Sequence, residues 1–257
     1  MAITLLALGL IGGFFSGWLG IGGGIIMAPM LLYVPTWLGV GELGMKTVAG
    51  LTMVQSLFAT GSSVLVHRRF KFVNRPLVLW AGLSIAAAAL AGALLSSRVP
   101  AEVLLGMFAT MAMVAAGLMF IPRREPETEP PAASVTFNHG LTVAVFLFLG
   151  FIGGLVGQTG AFIIIPVMLY ILRIPTRTTI GSSLGIVFLA GIAGTLGKAV
   201  AGQIEYDLAL FLVAGALVGA QAGGYLSQAT GRATLRHILA LLIVVAALRI
   251  IWGLAGG

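Results

Sequence analysis

Apolar residues fill long uninterrupted stretches of this chain, and charged residues stand mainly between those stretches. The first stretch, residues 3–41, carries no charge, and comparable stretches recur as far as the C-terminus. A membrane-spanning helix needs about 20 consecutive, mostly apolar residues. The pattern therefore predicts an all-α polytopic membrane protein.

The first apolar stretch is too long for one span, and glycines interrupt it. Four of the five residues 20–24 are glycine, and each costs a helix about 1 kcal/mol relative to alanine. We predict two shortened helices, 3–20 and 24–37, on either side of this break. A helix that restarts inside the membrane leaves backbone N–H groups pointing into the gap, where they can bind an anion.

The same plan returns in the second half of the chain. Residues 140–172 again exceed one span and are again broken by glycines. The matched pairs are Gly13 and Gly150, Gly20 and Gly157, Gly23 and Gly160, Pro29 and Pro166, Leu32 and Leu169, and Tyr33 and Tyr170. Other apolar stretches predict full spans at 46–66, 76–97, 101–121, 178–202 and 208–229, and a last span that ends near Trp252.

A segment rich in proline and glutamate separates the two halves. Residues 122–131 hold four prolines and three glutamates, a composition typical of solvated linkers. We therefore predict a first transmembrane repeat at 1–122, a cytoplasmic linker at 123–138 that does not pack, and a second repeat at 139–257.

Composition agrees with a membrane protein that has no soluble domain. The chain is 59% hydrophobic and 8% charged, with a mean hydropathy of +1.11, whereas soluble domains carry about 25% charged residues. The net charge of +7 comes from basic residues in short loops, where they orient spans rather than bind nucleic acid. The chain contains no cysteine, which excludes disulfides and thiolate chemistry.

The loop charges favour an inverted repeat over a parallel one. If each broken segment crosses the membrane once, the fourteen Lys and Arg residues divide eight against six. If each broken segment enters and leaves on one face, they divide ten against four, which fits the positive-inside rule better. We therefore predict two inverted repeats, each a glycine-broken helical hairpin plus three transmembrane helices, with both chain ends outside. Two short full crossings in each broken segment would give the same division of charges and remain the alternative.

Broken helices at matching positions of inverted halves point to a transporter with a site near the membrane midplane. The two breaks are expected to face each other, with their backbone amides turned toward an anion. Polar side chains within the spans turn toward the site or toward a neighbouring helix. The predicted substrate-binding residues are Gly22, Gly23, Gly24, Gln158, Thr159, Gly160, Ala161, Thr52, Ser182 and Ser183.

Other polar residues are expected to have structural roles. Gln55 and Ser56 are predicted to contact neighbouring helices rather than the site. Lys198 aligns with His67 at a loop edge, so we expect its side chain to extend to the membrane interface. The alternative interpretation of the glycines at the breaks is that they allow tight helix packing. The alternative interpretation of Gln158 and Thr159 is that their side chains cap the helix that restarts after the break.

The sequence contains none of the patterns that would indicate an enzyme or an ATP-driven pump. It has no Walker A pattern and no nucleophile–base pair, and its three histidines lie far apart. No acidic residue sits clearly inside a span, so a transported proton could travel on the substrate, or His67 could be involved. We predict a non-enzyme without cofactor or metal.

The residues at the breaks resemble those of the sulfite exporter TauE/SafE family. The resemblance rests on the Gly-rich run before Pro29, its echo before Pro166, and the Gly-Ser-Ser run at 181–183, and it extends over essentially the whole chain. It implies secondary transport of small sulfur-containing anions, such as sulfite, sulfoacetate or organosulfonates, across the bacterial inner membrane. A passive anion channel is the alternative, and a homodimer is left open.

Overall fold

The computed structural model describes residues 1–68, 72–121, 130–158 and 161–255. Five helices precede the linker and five follow it. The helices are α1 (Ala2–Leu19), α2 (Gly24–Trp37), α3 (Met45–Arg68), α4 (Arg75–Leu95), α5 (Ala101–Met119), α6 (His139–Val156), α7 (Ala161–Pro166), α8 (Thr176–Val200), α9 (Tyr206–Ala229) and α10 (Arg232–Ala255).

Seven of the described helices are long and apolar enough to cross a membrane, which confirms the polytopic helical fold. They are α1, α3, α4, α5, α6, α8 and α9. The predicted arms of the first broken segment, 3–20 and 24–37, agree with α1 and α2 to within one residue. The first arms, α1 and α6, have 18 residues each. The second arms are short: α2 has 14 residues, and α7 has 6 and continues as a π-helical turn, Val167–Ile171.

Left-handed glycines end the first arm of each broken segment. Gly20 has a φ of 75°, and its N–H donates to the carbonyl of Ser16 at 2.9 Å. Gly157 has a φ of 78°, and its N–H donates to the carbonyl of Gly154 at 3.3 Å. Because glycine adopts this conformation without steric cost, both helices stop where the glycines stand.

The first broken segment folds back on itself as a hairpin. A Cβ atom added to Gly23 would lie 2.6 Å from the carbonyl oxygen of Gly12, in the middle of α1. A Cβ added to Gly41, beyond the end of α2, would lie 2.8 Å from Cε of Met1. The chain therefore returns to the end of the molecule from which α1 started, and α2 begins halfway along α1.

The second broken segment ends at the opposite end of the molecule. Helices α3, α4 and α5 alternate in direction, so α5 ends away from Met1. There Tyr170, near the end of the π-helical turn, donates from its hydroxyl to the carbonyl of Met119 at 3.4 Å. The guanidinium of Arg177, at the start of α8, lies 5.2 Å from the ring centroid of Phe72, just before α4.

Small residues let the long helices pack backbone against backbone; in α9, Gly215, Gly219 and Gly223 recur every four residues and therefore lie on one face. Along the α1–α9 contact, a Cβ on any of six glycines would meet a carbonyl oxygen of the other helix. These pairs are Gly9 with Leu212, Gly13 with Ala216, Gly17 with Ala220, Gly215 with Leu6, Gly219 with Leu10 and Gly223 with Phe14. The α4–α6 contact repeats this arrangement at Gly92, Gly150 and Gly154.

Part of the linker packs against the helices, contrary to the expectation of a fully solvated segment. The side-chain amide of Asn74 donates to the carbonyls of Ala132 and Val135 at 2.7 and 3.0 Å. Ala132 is buried, and the ring of Phe137 contacts that of His139. Because Asn74 also caps α4, residues 132–135 help to fix the start of that helix; residues 123–129 lie outside the described part.

Candidate functional site

The first break places the start of α2 inside the protein without a side-chain cap. Gly23 occupies the N-cap position with a φ of 77°, and no side chain bonds to the first N–H groups of the helix. Gly22, Gly23 and Gly24 are all buried. The first turn of a helix has N–H groups with no partner in the helix, and the helix dipole adds about half a positive charge there. The start of α2 can therefore bind an anion.

The second break lies directly against the first, as the paired glycines predict. Gln158 follows the left-handed Gly157, and its Oε1 occupies the space that a Cβ on Gly24 would need. The Gln158 side chain is buried, and its Nε2 has no hydrogen-bond partner. Thr159 and Gly160 lie outside the described residues; Ala161 begins α7, and its side chain is not described.

Thr52 and Ser183 each bond to the break of the other half. The hydroxyl of Thr52, in α3, donates to the carbonyl of Gly157 at 2.9 Å, and that of Ser183, in α8, donates to the carbonyl of Gly20 at 2.9 Å. We call this pair of bonds the crossed hydroxyl contacts. Each hydroxyl is also within hydrogen-bond distance of a carbonyl of its own helix, that of Val48 at 2.8 Å for Thr52 and that of Ile180 at 2.9 Å for Ser183. Because a hydroxyl has one proton to donate and these carbonyls compete for it, the two side chains contact the breaks and do not donate to an anion in this conformation.

Ser182 lies apart from this group. Its Oγ accepts a hydrogen bond from the backbone N–H of Asn74 at 3.0 Å, which ties α8 to the start of α4. The structure thus brings together Gly23, Gly24 and Gln158, adds Thr52 and Ser183 as supports, and gives Ser182 a separate contact.

Gln55 lies at the first break, although the sequence favoured a structural role for it. It is fully buried in α3, and its Nε2 lies 3.0 Å from the position that a Cβ on Gly23 would take. Neither polar atom of its side chain has a hydrogen-bond partner. The sequence could have indicated this position, because Gln55 follows Thr52 by three residues and therefore shares one face of α3 with it. Its neighbour Ser56 is also buried.

Lys198 is buried, so the expectation that its side chain extends to the membrane interface is wrong. Its ammonium donates to the carbonyl of Leu155 at 3.1 Å and to Oε1 of Gln203 at 2.8 Å. Leu155 belongs to the last turn of α6, where a cation is favourable against the helix dipole. The lysine therefore stabilises the end of α6 just before the second break, and both of its bonds go to uncharged oxygens.

We expect Lys198→Ala to reduce stability more than binding. The variant leaves the carbonyl of Leu155 without its side-chain donor and opens space in a closed region, at a cost of about 1–3 kcal/mol. Thermal unfolding in detergent should show a lower midpoint than wild type, while the affinity at low temperature for sulfite, the anion that the family resemblance implies, changes less than about tenfold. An unchanged midpoint with lost binding would make Lys198 a direct ligand.

The described residues contain no group of three or more His, Cys, Asp or Glu side chains that could hold a metal ion. Uncharged groups lie at the start of α2, namely glycine N–H groups and the side-chain amides of Gln55 and Gln158. Such a set can bind and orient an anion.

Comparisons with known proteins agree with the interpretation as a membrane transporter. Residues 5–250 match the family described as "Sulfite exporter TauE/SafE". "Probable membrane transporter protein YunE" from Bacillus subtilis (strain 168) is 23% identical and covers 97% of both chains. A "Probable membrane transporter protein" from Xylella fastidiosa (strain 9a5c) is 28% identical, over 98% of this chain and 95% of that protein. No solved structure matches the chain.

Proposed function

The chain belongs to the sulfite exporter TauE/SafE family, and from this premise we propose that it is a secondary transporter, working as an exporter, of small sulfur-containing anions. Sulfite, sulfoacetate and other organosulfonates are the candidate substrates. The membrane-transporter family and the seven span-length helices place it in a lipid bilayer as a multi-pass protein. We further propose the bacterial inner membrane as its location.

The buried, uncapped start of α2 carries this proposal. Backbone N–H groups at Gly23 and Gly24 offer donors without the desolvation cost of a lysine or arginine. The amide of Gln158 reaches the same point from the other half of the chain. An anion held there would lie between the two breaks, as midplane sites of transporters with broken helices do.

We propose that the two halves are inverted repeats. The crossed hydroxyl contacts support this. Thr52 and Ser183 each stand two residues after a glycine that ends a matching run, 46–50 and 177–181, and each contacts the glycine that ends the first arm of the other half. The two broken segments also end at opposite ends of the molecule, as the contacts of Gly41 and Tyr170 indicate. A two-fold axis in the membrane plane relates such arrangements.

Alternating access is the mechanism that fits a closed site. The glycines of the first break and Gln158 are buried, so an anion cannot reach them without a movement of the helices. Each crossed hydroxyl contact is a single hydrogen bond between a break and the opposite half. We propose that the bond at one break opens while the other holds, which would expose the site to one side of the membrane at a time.

Counterflow separates this proposal from a passive channel. Proteoliposomes loaded with unlabelled sulfite should take up labelled sulfite faster than empty ones, with a rate that saturates. Internal sulfite accelerates uptake by a carrier, because the site then returns to the outer face with an anion bound. A channel has no such step and passes ions only down their gradient. Flux that neither saturates nor responds to internal sulfite would contradict the proposal.

Both chain ends are expected on the periplasmic side. The ten-to-four division of Lys and Arg residues motivates this orientation. Single cysteines at Ala2, Arg69 and Gly257 can be labelled with an impermeant thiol reagent in intact cells, because the chain has no cysteine of its own. We expect labelling at positions 2 and 257 and none at 69. Labelling at 2 without 257 would refute the inverted arrangement.

A further inference from the structure

Buried side chains with unpaired polar atoms surround the start of α2. Both polar atoms of the Gln55 amide, Oγ of Ser16 and Nε2 of Gln158 have no hydrogen-bond partner. The side chains of Gln55 and Ser16 are fully buried, and that of Gln158 is 2% exposed. Buried polar groups are nearly always paired in folded proteins, and each unpaired one is costly. These atoms therefore indicate a ligand that fits between them.

Two separate elements bring the glutamine amides to the start of α2. Gln55 projects from α3, with Nε2 3.0 Å from the Cβ position of Gly23 and 3.4 Å from that of Gly12. Ser16 stands one turn beyond Gly12 on α1, and therefore on the same face. Gln158 comes from the second break and packs against Gly24. The group is thus part of the proposed anion site.

The unpaired groups include an acceptor as well as donors. Whichever way round the Gln55 amide is assigned, it has an NH₂ group and a carbonyl oxygen that both lack a partner. A fully deprotonated oxyanion can only accept hydrogen bonds, so it would leave the Gln55 oxygen unpaired. A protonated oxyanion also donates one, and it satisfies both ends of the amide.

The distribution of charged residues around the site also favours a protonated oxyanion with a single negative charge. Helices α1 and α2 contain no charged side chain, and Tyr33 is their one titratable side chain. On α3, Lys46 and His67 lie nine and twelve residues from Gln55, or about 13 and 18 Å along the helix. In the second half, the Lys198 ammonium is bonded to Leu155 and Gln203. The cost of burying an ion rises steeply with its charge, so a site of neutral donors favours a single charge.

We propose that the site takes its substrate as a protonated monoanion, hydrogensulfite rather than sulfite, and that Gln55 recognises the O–H group. This inference rests on the proposed function. The transported proton then travels on the substrate, and the protein needs no carboxylate relay in its spans. Gln55 is a specificity-determining residue in this account, and the α2 amides supply the general attraction for an anion.

The test compares two probes in proteoliposomes, hydrogensulfite and methanesulfonate, which has the same charge and no O–H group. We expect the wild type to take up less labelled sulfite, relative to the total sulfite present, at a pH where sulfite predominates than at a pH where hydrogensulfite predominates. Methanesulfonate uptake should be the same at both pH values. Gln55→Met should reduce the preference for hydrogensulfite over methanesulfonate by about tenfold or more. Gln221→Met, at an exposed position of α9, should leave it unchanged.

The possible failures are distinguishable. If the wild type moves no sulfur anion, the proposed function fails together with this inference. If the wild type moves sulfite equally well at both pH values, or if folded Gln55→Met keeps the wild-type preference, only the inference is overturned. Should Gln55→Met not fold, the pH dependence of the wild type alone decides between the two outcomes.

Discussion

We expect Gly24→Val to abolish binding of the proposed substrate, sulfite, to the purified protein and to leave its helices folded. A Cβ at this position meets the end of the Gln158 side chain, which can rotate away, and no backbone atom is among its closest neighbours. The added side chain fills the space in front of the first N–H groups of α2 and displaces the Gln158 amide. Charge-assisted hydrogen bonds contribute about 1.5–3 kcal/mol each, so the loss of two should weaken binding at least about a hundredfold.

Isothermal titration in detergent measures this effect, with Gly106→Val as the matched control. Gly106 lies in α5, where an added Cβ meets no atom within 4 Å, so the control should bind as the wild type does. Gly23→Val is a less selective test, because the φ of 77° and the nearby Gly12 carbonyl would strain the backbone as well. Normal affinity of folded Gly24→Val would place the anion elsewhere.

Gly219→Leu prevents α1 and α9 from packing and destabilises the whole protein. A Cβ at position 219 overlaps the carbonyl oxygen of Leu10, which is backbone and cannot rotate away. Helix pairs in a membrane associate through close contact between small residues rather than through a hydrophobic driving force. Separating the two backbones would loosen the neighbouring contacts at Gly215 and Gly223 too, at a cost of about 3 kcal/mol or more.

Size-exclusion chromatography after heating measures this second effect. We expect Gly219→Leu to be aggregated, or to unfold at a clearly lower temperature than the wild type. Gly117→Leu in α5 is the control, because a Cβ there meets no atom within 4 Å, and it should retain the wild-type midpoint. A wild-type midpoint for Gly219→Leu would show that the α1–α9 contact contributes little to stability.

The sequence predicted the breaks to within a residue or two because their cause is local. Gly20 and Gly157 end α1 and α6 through their own backbone conformation, and glycine is the residue that adopts it readily. The spacing of Gly215, Gly219 and Gly223 likewise placed them on one face of α9. Such features follow from the residues themselves and from helical periodicity.

Gln55 and Lys198 escaped prediction because their environment is made by distant parts of the chain. Gln55 meets the first break only because α2 folds back along α1, and a polar residue inside a span can equally well face a neighbouring helix. Lys198 lies near the end of its span, where extension to the interface is common. Its partner Leu155 is 43 residues away in the sequence, and no local pattern indicates that contact.

The central claim is that an anion binds between the two breaks, at the start of α2. A crystal structure with bound selenite, the heavier analogue of sulfite, tests it most directly through the anomalous scattering of selenium. We expect one strong peak, with oxygens about 3 Å from the backbone nitrogen of Gly24 and from Nε2 of Gln158. A selenium peak beside Lys198, or no peak between the breaks at saturating selenite, would contradict this account.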